Sequence, residues 1–275
     1  MPSLHRASFR AISHGGLSLS VQVRKNCVLV FFRLFRNISY IFNRYSKEKI
    51  MHIYAVNGSP RKKWNTATVL QHALDGAAEA GGAHCRTEML HLYDYRYKGC
   101  MSCFECKRTG GASYGKCAVR DELAPVLEKL AEADGIIFGS PVYFHSVTGM
   151  MRSFLERFMF PCLAYDKQYS SLAPQKIATA FIYTMNVTRE FMLEQSYPEK
   201  LRTTESFMER LFSRPGVLYV YDTYQFSDYS KYKVECFSEE EKARRRKEQF
   251  PLDCQKAREL GAALARQAEQ EQARN

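Results

Sequence analysis

The sequence predicts an α/β fold in which five parallel strands form a doubly wound sheet with helices on both faces. From residue 51 onwards, short apolar segments alternate with longer segments whose apolar residues recur at helical spacing. One of the short segments, residues 136–138, is apolar without interruption, as in a strand buried on both faces of a parallel sheet. We expect the strand order 2-1-3-4-5, which is one of the common orders of doubly wound sheets.

The predicted strands and helices alternate along the chain. Helices are expected where apolar residues recur every three or four positions, and the last of them is expected around residues 257–265. The charged run at residues 239–247 contains hardly any apolar residue, so we expect it to form a solvated face. The strands are expected at residues 52–56, 86–92, 136–138, 177–183 and 217–221.

Much of the net charge of +11 comes from the first 50 residues. They hold nine of the 40 Lys and Arg residues and one of the 29 acidic residues, so residues 51–275 are nearly balanced. The apolar runs in this leader are far shorter than the roughly 20 residues that a transmembrane helix needs. We expect one domain over residues 51–275 that begins near Met51, with residues 1–50 either disordered or wrongly assigned to the chain. A membrane-surface helix is the alternative for the leader. Neither nucleic acid nor a membrane is expected as a partner.

A polar loop follows the first predicted strand and leads into a helix. It reads Asn-Gly-Ser-Pro-Arg at residues 57–61, with Asn65 and Thr66 shortly after it. The first N–H groups of a helix and the helix dipole favour an anion such as phosphate. The loop lacks both the P-loop motif and the GxGxxG motif, which favours a mononucleotide with one terminal phosphate over ATP, GTP or a dinucleotide. An ordinary capped turn remains the alternative.

Two further loops are expected at the same edge of the sheet. Residues 141–144 follow the third predicted strand with the sequence Pro-Val-Tyr-Phe, and residues 184–186 follow the fourth strand. Ligands bind beyond the carboxyl ends of the strands in such sheets, so these loops should converge with the phosphate loop. Together they predict a pocket for a flat ring that carries a phosphate tail.

Four of the nine cysteines are clustered in a segment rich in glycine. The C-x2-C-x2-C spacing lets three thiolates converge on one iron–sulfur cluster, and a fourth cysteine would complete the ligands of a 4Fe-4S cluster. Free thiols without a cluster, a zinc site and a redox disulfide remain alternatives. The four candidate ligands are Cys100, Cys103, Cys106 and Cys117.

Taken in order and spacing, these three motifs resemble those of the NADPH-dependent FMN reductase and iron–sulfur flavoprotein family, in the flavodoxin-like superfamily. The resemblance covers about residues 51–187, although the last gap of the cysteine motif is longer here than in the iron–sulfur members. It implies FMN as cofactor and NAD(P)H as co-substrate, with no catalytic side chain, because the flavin carries the chemistry. The residues that the resemblance assigns to FMN are Ser59, Arg61, Asn65, Thr66, Ala67, Pro141, Val142, Tyr143, Phe144, Ser146 and Thr184.

The resemblance predicts an FMN-dependent NAD(P)H oxidoreductase that reduces a small acceptor, such as a quinone, a flavin or a nitro compound. The alternative is an iron–sulfur flavoprotein that transfers electrons to a redox partner protein. A homodimer or homotetramer is expected. A cytoplasmic location is expected because no secretory signal is recognisable, and in such a reducing compartment a disulfide framework is not expected.

Overall fold

The computed structural model describes residues 50–274. The expectations for the leader therefore lie outside the described residues, apart from Ile50. Residues 50–274 fall in one structural unit. None of the helices in this part of the chain contains an apolar stretch that could span a lipid bilayer.

Five parallel strands form one sheet: β1 (Met51–Asn57), β2 (Cys85–His91), β3 (Gly135–Pro141), β4 (Ala178–Thr184) and β5 (Gly216–Val220). Their order is β2-β1-β3-β4-β5, which confirms the predicted topology. The register aligns Val56 with Phe138, and Phe138 in turn with Phe181. All three side chains are buried, as expected for the middle strands of a sheet that is covered on both faces.

Helices cover both faces of the sheet. On β3, Ile137 packs on one face with residues of α1 and α7, while Phe138 packs on the other face with residues of α2, α3 and α5. This alternation follows from the two-residue period of a strand. The helices described are α1 (Asn65–Gly81), α2 (Ala124–Ala131), α3 (Gly149–Cys162), α4 (Arg189–Glu194), α5 (Tyr197–Leu211), α6 (Glu239–Glu248) and α7 (Phe250–Arg274).

Helices α1 and α7 approach each other so closely that glycines are required at their crossing. A Cβ atom at Gly76 would lie 2.0 Å from the carbonyl oxygen of Arg258, and one at Gly261 would lie 1.8 Å from that of Ala73. Both distances are far inside van der Waals contact, so a larger side chain at either position would push the helices apart. The close packing fixes α1, and with it the start of α1, against the sheet.

The prediction that residues 239–247 form a solvated face is wrong at one position. These residues belong to α6, in which the side chain of Lys242 is only 2% exposed. Its ammonium group donates to Asp222 Oδ1 at 2.6 Å and also to the carbonyl oxygen of Asn186. A buried ammonium group is tolerated when it is paired and hydrogen-bonded in this way.

Candidate functional site

Hydrogen bonds hold the base of the loop between β1 and α1. The amide N–H of Gly58 donates to the carbonyl oxygen of Gly139 at 2.8 Å, and that of Ser59 donates to Asn57 Oδ1 at 2.9 Å. The amide N–H of Arg61 donates to Ser59 Oγ at 3.2 Å. Asn57 and Ser59 are both buried. The loop therefore has a fixed shape at the carboxyl edge of the sheet, where ligands bind in doubly wound folds.

Helix α1 begins at the end of this loop with no side-chain cap. The N-cap residue, Trp64, makes no side-chain hydrogen bond to the first turn, so it leaves the first N–H groups available to a ligand. The next three residues, Asn65, Thr66 and Ala67, are buried. The hydroxyl of Thr66 lies 2.7 Å from that of Thr184, at the end of β4. This helix end carries a partial positive charge and favours an anion.

A segment outside the predicted site, at residues 224–225, packs against this loop. Asn65 Nδ2 and Trp64 Nε1 donate to the carbonyl oxygen of Tyr224 at 2.8 and 3.1 Å. Arg61 Nη1 donates to the carbonyl oxygen of Gln225 at 2.5 Å. Arg61 and Asn65 thus lie beside the start of α1, and their contact with a phosphate stays a prediction. No local pattern could have revealed the segment, because Trp64 and Tyr224 are 160 residues apart.

The loop after β3 forms a tight turn with an unusual backbone. Tyr143 and Ser146 exchange two backbone hydrogen bonds, of 2.8 and 3.0 Å. Between them, Phe144 and His145 have positive φ angles of 49° and 64°. Two consecutive residues with positive φ are typical of a two-residue hairpin turn, which usually contains Asn and Gly. A phenylalanine in this conformation is strained, and strained residues cluster at functional sites.

The turn places aromatic side chains at the mouth of the site. The side chain of Phe144 is fully exposed, and Tyr143 is 47% exposed. Tyr93, just after β2, lies close to Tyr143: burial raises the pKa of Tyr93, and Tyr143 adds to the rise. Tyr93 was not among the predicted site residues, although tyrosines at three alternate positions, residues 93–97, indicate an aromatic wall. Exposed aromatic rings can stack on a flat ligand.

Hydrogen bonds also join the loops to one another. Thr148, the N-cap of α3, donates through Oγ1 to the carbonyl oxygen of Gly58 at 2.8 Å, and its amide N–H donates to Ser140 Oγ at 3.0 Å. The amide N–H of Val142 donates to the carbonyl oxygen of Thr184 at 2.9 Å. The loops after β1, β3 and β4 therefore meet at one edge of the sheet, as the predicted topology required.

The four clustered cysteines line a single small cavity, which has a volume of about 20 Å³ and is partly open to solvent. Cys106 is buried; burial raises the pKa of its thiol, and the other three cysteines are close enough to add to the rise. Every cysteine in the described part of the chain is a free thiol. The sequence prediction that these four side chains converge is therefore consistent with their positions.

The backbone φ angles of the cysteine segment alternate between positive and negative values. Ser102 and Phe104 have positive φ angles of 54° and 58°, on either side of Cys103. Such alternation turns successive N–H groups toward one point and forms the concave sites that bind phosphates and iron–sulfur clusters. The ten residues after Cys106 form a loop that is closed at its base, because the amide N–H of Gly115 donates to the carbonyl oxygen of Cys106 at 3.0 Å. The long gap therefore does not keep the last cysteine away from the cavity.

The guanidinium group of Arg157, on α3, fastens the cysteine segment in place. The side chain of Arg157 is 1% exposed and forms a bidentate ion pair with Asp121, with distances of 2.5 and 3.0 Å. Its Nε donates to Cys117 Sγ at 3.3 Å, and its Nη atoms also donate to the carbonyl oxygens of Lys98 and Val119. Burial raises the pKa of Asp121, but the hydrogen bonds and charge of Arg157 outweigh it and hold this pKa below its usual value. One buried cation thus ties both ends of the segment to α3.

Within residues 50–274, no three His, Cys, Asp or Glu side chains are arranged so that they could hold a single metal ion. The zinc alternative therefore has no preformed site in the described chain. A 4Fe-4S cluster makes a different demand, because its thiolates surround a larger body of several iron atoms. The cluster stays a prediction, and the shared cavity and the alternating backbone are compatible with it.

The strand order and the position of the three loops define a flavodoxin-like α/β protein. The fold is similar to that of an NAD(P)H:quinone oxidoreductase from Methanothermobacter marburgensis, with a TM-score of 0.57 and 16% sequence identity. The similarity covers 78% of this chain and 96% of that protein. At this identity it concerns the fold alone.

Residues 51–187 match the profile of the NADPH-dependent FMN reductase family, and the chain belongs to this family through that segment. Iron–sulfur flavoproteins of Methanocaldococcus jannaschii and Archaeoglobus fulgidus are 37% and 36% identical to it over 107 residues each. These matches cover 39% of this chain and 51% and 48% of the two relatives. The chain thus spans about half the length of the curated relatives it matches. The chain from residue 188 onwards lies outside the family match.

Proposed function

We propose that the protein is an FMN-dependent NAD(P)H oxidoreductase that reduces a small acceptor, such as a quinone, a flavin or a nitro compound. The observation that carries the proposal is the meeting of three loops at the carboxyl edge of the sheet. One of them leads into an uncapped helix N-terminus, and another forms an exposed aromatic turn. A flat ring with a phosphate tail fits this combination of charge and shape. Membership of the FMN reductase family supports the same cofactor.

The phosphate of the cofactor would be held at the N-terminus of α1. The first N–H groups of the helix and the hydroxyls of Ser59 and Thr66 are the available donors, and Arg61 and Asn65 lie beside them. A phosphate monoester presents the terminal oxygens that such a group of donors binds. The hydrogen bond from the amide of Ser59 to buried Asn57 fixes the loop, which reduces the ordering that binding requires.

The ring system would lie against the turn after β3. Residues 141–146 offer backbone groups together with the exposed side chains of Tyr143 and Phe144, and Thr184 ends the neighbouring strand. When bound, the flavin itself supplies hydride and electron-transfer chemistry. The residues of the chain bind and orient the ring and shield part of it from water, and no side chain has to act as a general acid or base.

A second candidate function is electron transfer to a redox partner protein, with the four cysteines as cluster ligands. It is favoured by their common cavity and by the alternating backbone around Cys103. Arg157 and Lys107 bring positive charge close to the thiols of Cys117 and Cys106, which suits an anionic thiolate-bound cluster. When bound, a 4Fe-4S cluster supplies one-electron transfer.

The visible spectrum of the full chain, purified without oxygen, tests the cofactor. Flavin bands that persist through gel filtration support the proposal, whereas protein that neither carries nor takes up FMN contradicts it. Stopped-flow mixing with NADPH or NADH then separates the two functions. Rapid bleaching of the flavin band supports the oxidoreductase. Slow bleaching, together with stoichiometric iron and acid-labile sulfide, supports the electron-transfer protein.

We further propose a homodimer or homotetramer in the cytoplasm, whose partner is a small electron acceptor or a redox protein. The exposed side chains of Phe144 and Tyr143 are adjacent at the edge of the site and offer an apolar surface that a second subunit could cover. The free thiols suit a reducing compartment. Light scattering after size exclusion tests the oligomer, and a monomeric mass contradicts it. Cell fractionation tests the location.

A further inference from the structure

The chain segment after β5 reaches back to the phosphate loop and continues into α6. This segment, residues 221–249, lies outside the family match, which ends at residue 187. Its backbone carbonyl groups accept the hydrogen bonds from Arg61, Trp64 and Asn65 that are described above. The segment is therefore part of the wall around the start of α1, although nothing in the family match accounts for it.

Buried charges fix this segment in place. Asp222 has a left-handed backbone, with φ of 54°, and its amide N–H donates to the carbonyl oxygen of Val187 at 2.7 Å. Its carboxylate pairs with the buried Lys242 at 2.6 Å and lies 3.8 Å from Arg245. Arg245 in turn pairs with Asp253, at 3.2 Å. Helix α6 is thus held firmly, and the direction of its side chains toward the phosphate loop is set.

One side chain of α6 reaches the start of α1 itself. Arg246 Nη1 donates to Asn65 Oδ1 at 2.8 Å, and the guanidinium carbon lies 4.0 Å from the centre of the Phe250 ring. Asn65 is the first residue of α1. Among residues 50–274, no carboxylate pairs with Arg246. The guanidinium therefore has one neutral hydrogen-bond acceptor and keeps other N–H donors available.

Positive charge is concentrated at this position. Arg246 lies in the last turn of α6, where the dipole of that helix favours a cation, but its guanidinium contacts the start of α1. The start of a helix carries a partial positive charge, and cations are stabilising at the opposite end. Arg61 adds a second positive charge at the same loop. An anion at the start of α1 would attract both guanidinium groups and the helix dipole, and so offset the repulsion between these positive charges. It would also accept hydrogen bonds from the guanidinium N–H groups that have no other acceptor. A phosphate monoester, which carries nearly two negative charges at neutral pH, matches this demand.

We propose that Arg246 binds the phosphate group of the flavin and makes the site select FMN over riboflavin. The inference rests on the proposed function, because it concerns the same flavin site. Asn65 holds the guanidinium at the helix start, and the anchored segment keeps α6 in place behind it. A part of the chain beyond the family match thereby determines which form of the flavin is bound.

Binding of two flavins to the apoprotein tests this inference, because riboflavin has the same ring but no phosphate. Dissociation constants for FMN and riboflavin are measured by quenching of flavin fluorescence, with the full chain and with the variants Arg246→Gln and Arg244→Gln. Arg244 is the matched control, since it is likewise an exposed arginine of the same helix but, within the described residues, forms no hydrogen bond to the start of α1. Arg246→Gln should weaken FMN binding by at least about tenfold, as expected for one lost charged hydrogen bond, and leave riboflavin binding within about twofold.

The outcomes separate this inference from the proposed function. If the unchanged protein binds FMN and Arg246→Gln binds it equally well, the role of Arg246 is refuted and the flavin site stands. If Arg246→Gln weakens FMN and riboflavin binding to the same extent, the residue acts on the fold of the site, and the inference is also overturned. If the unchanged protein binds neither flavin, the proposed function itself fails. A loss specific to FMN, absent from Arg244→Gln, supports the inference.

Discussion

Replacing Arg157 with Gln should cost about 3 kcal/mol of the free energy of unfolding. The side chain of Arg157 is 1% exposed, and its guanidinium forms hydrogen bonds with four groups, including both oxygens of Asp121. Removing one partner of a buried ion pair typically destabilises by about 3–5 kcal/mol, because it leaves the other charge unpaired. The side chain of Asp121 is 22% exposed, so water partly solvates its carboxylate and the loss should fall at the lower end.

Urea unfolding under reducing conditions measures this loss, with Arg152→Gln as the matched control. Arg152 lies on the same helix and also pairs with a carboxylate, that of Glu156, but its side chain is 61% exposed. An exposed pair of this kind contributes about 0.5 kcal/mol or less. A loss for Arg157→Gln no larger than that for Arg152→Gln would refute the reasoning, since burial is what makes the two pairs differ.

The pH dependence of stability gives an independent check on the same pair. Arg157 lowers the pKa of Asp121 in the folded state, against the opposing effect of burial. A lowered pKa contributes stability that is present above the unfolded value, about 3.9, and is lost as the pH falls through the folded value. The stability of the unchanged protein should therefore drop more steeply below about pH 4 than that of Arg157→Gln. Parallel curves in this range would contradict the pairing.

Three further predictions concern the helix crossing, the turn and the cysteines. Gly261→Ala should lower the free energy of unfolding by about 1–3 kcal/mol, because its Cβ would overlap the backbone of α1, whereas Gly149→Ala has open space and should not destabilise. Urea unfolding measures both, and equal effects would contradict the close packing. Phe144→Asn should raise the free energy of unfolding by about 0.5–1 kcal/mol and weaken flavin binding, because Asn accepts a positive φ and an exposed aromatic face is lost. A destabilised variant would show that the turn is not strained. Cys117→Ser should abolish bound iron in protein purified without oxygen, whereas the exposed Cys236→Ser should retain it; retained iron in both would exclude Cys117 as a ligand.

The alternation of strands and helices was predictable because it depends on patterns that are local in sequence, and the strand order followed from it as one of the common orders of doubly wound sheets. An uninterrupted apolar run at residues 136–138 identified a buried strand, but β3 extends over Gly135–Pro141. The last three residues of β3 have low strand propensity: Gly139, Ser140 and Pro141. They are extended because they pair with β4, which their own sequence does not indicate. The polar loop after β1 was recognisable for the same reason, since a loop and the helix that follows it are adjacent in sequence.

The contacts that complete the site could not be read from local patterns. Arg246 and Asn65 are 181 residues apart, and neither has a neighbour that indicates the other. Lys242 lies in a run of charges that resembles a solvated helix, and its burial depends on Asp222 and on the fold of the preceding segment. Sequence patterns thus predicted which loops meet at the site. The position of the segment that packs against these loops depends on charge pairing between residues far apart in sequence, which the patterns do not show.

The loop that separates Cys106 from the last cysteine is closed at its base, and the hydrogen bonds of its tip stay within the loop itself. The hydrogen bond from Gly115 to Cys106 closes the base, and Arg157 secures the chain beyond it. Residues 110–113 can therefore change in number or composition while the cavity keeps its shape. A peptide tether could be inserted at this tip to attach the protein to an electrode. The attachment would fix the orientation of the protein and keep the cysteine-lined cavity close to the electrode surface.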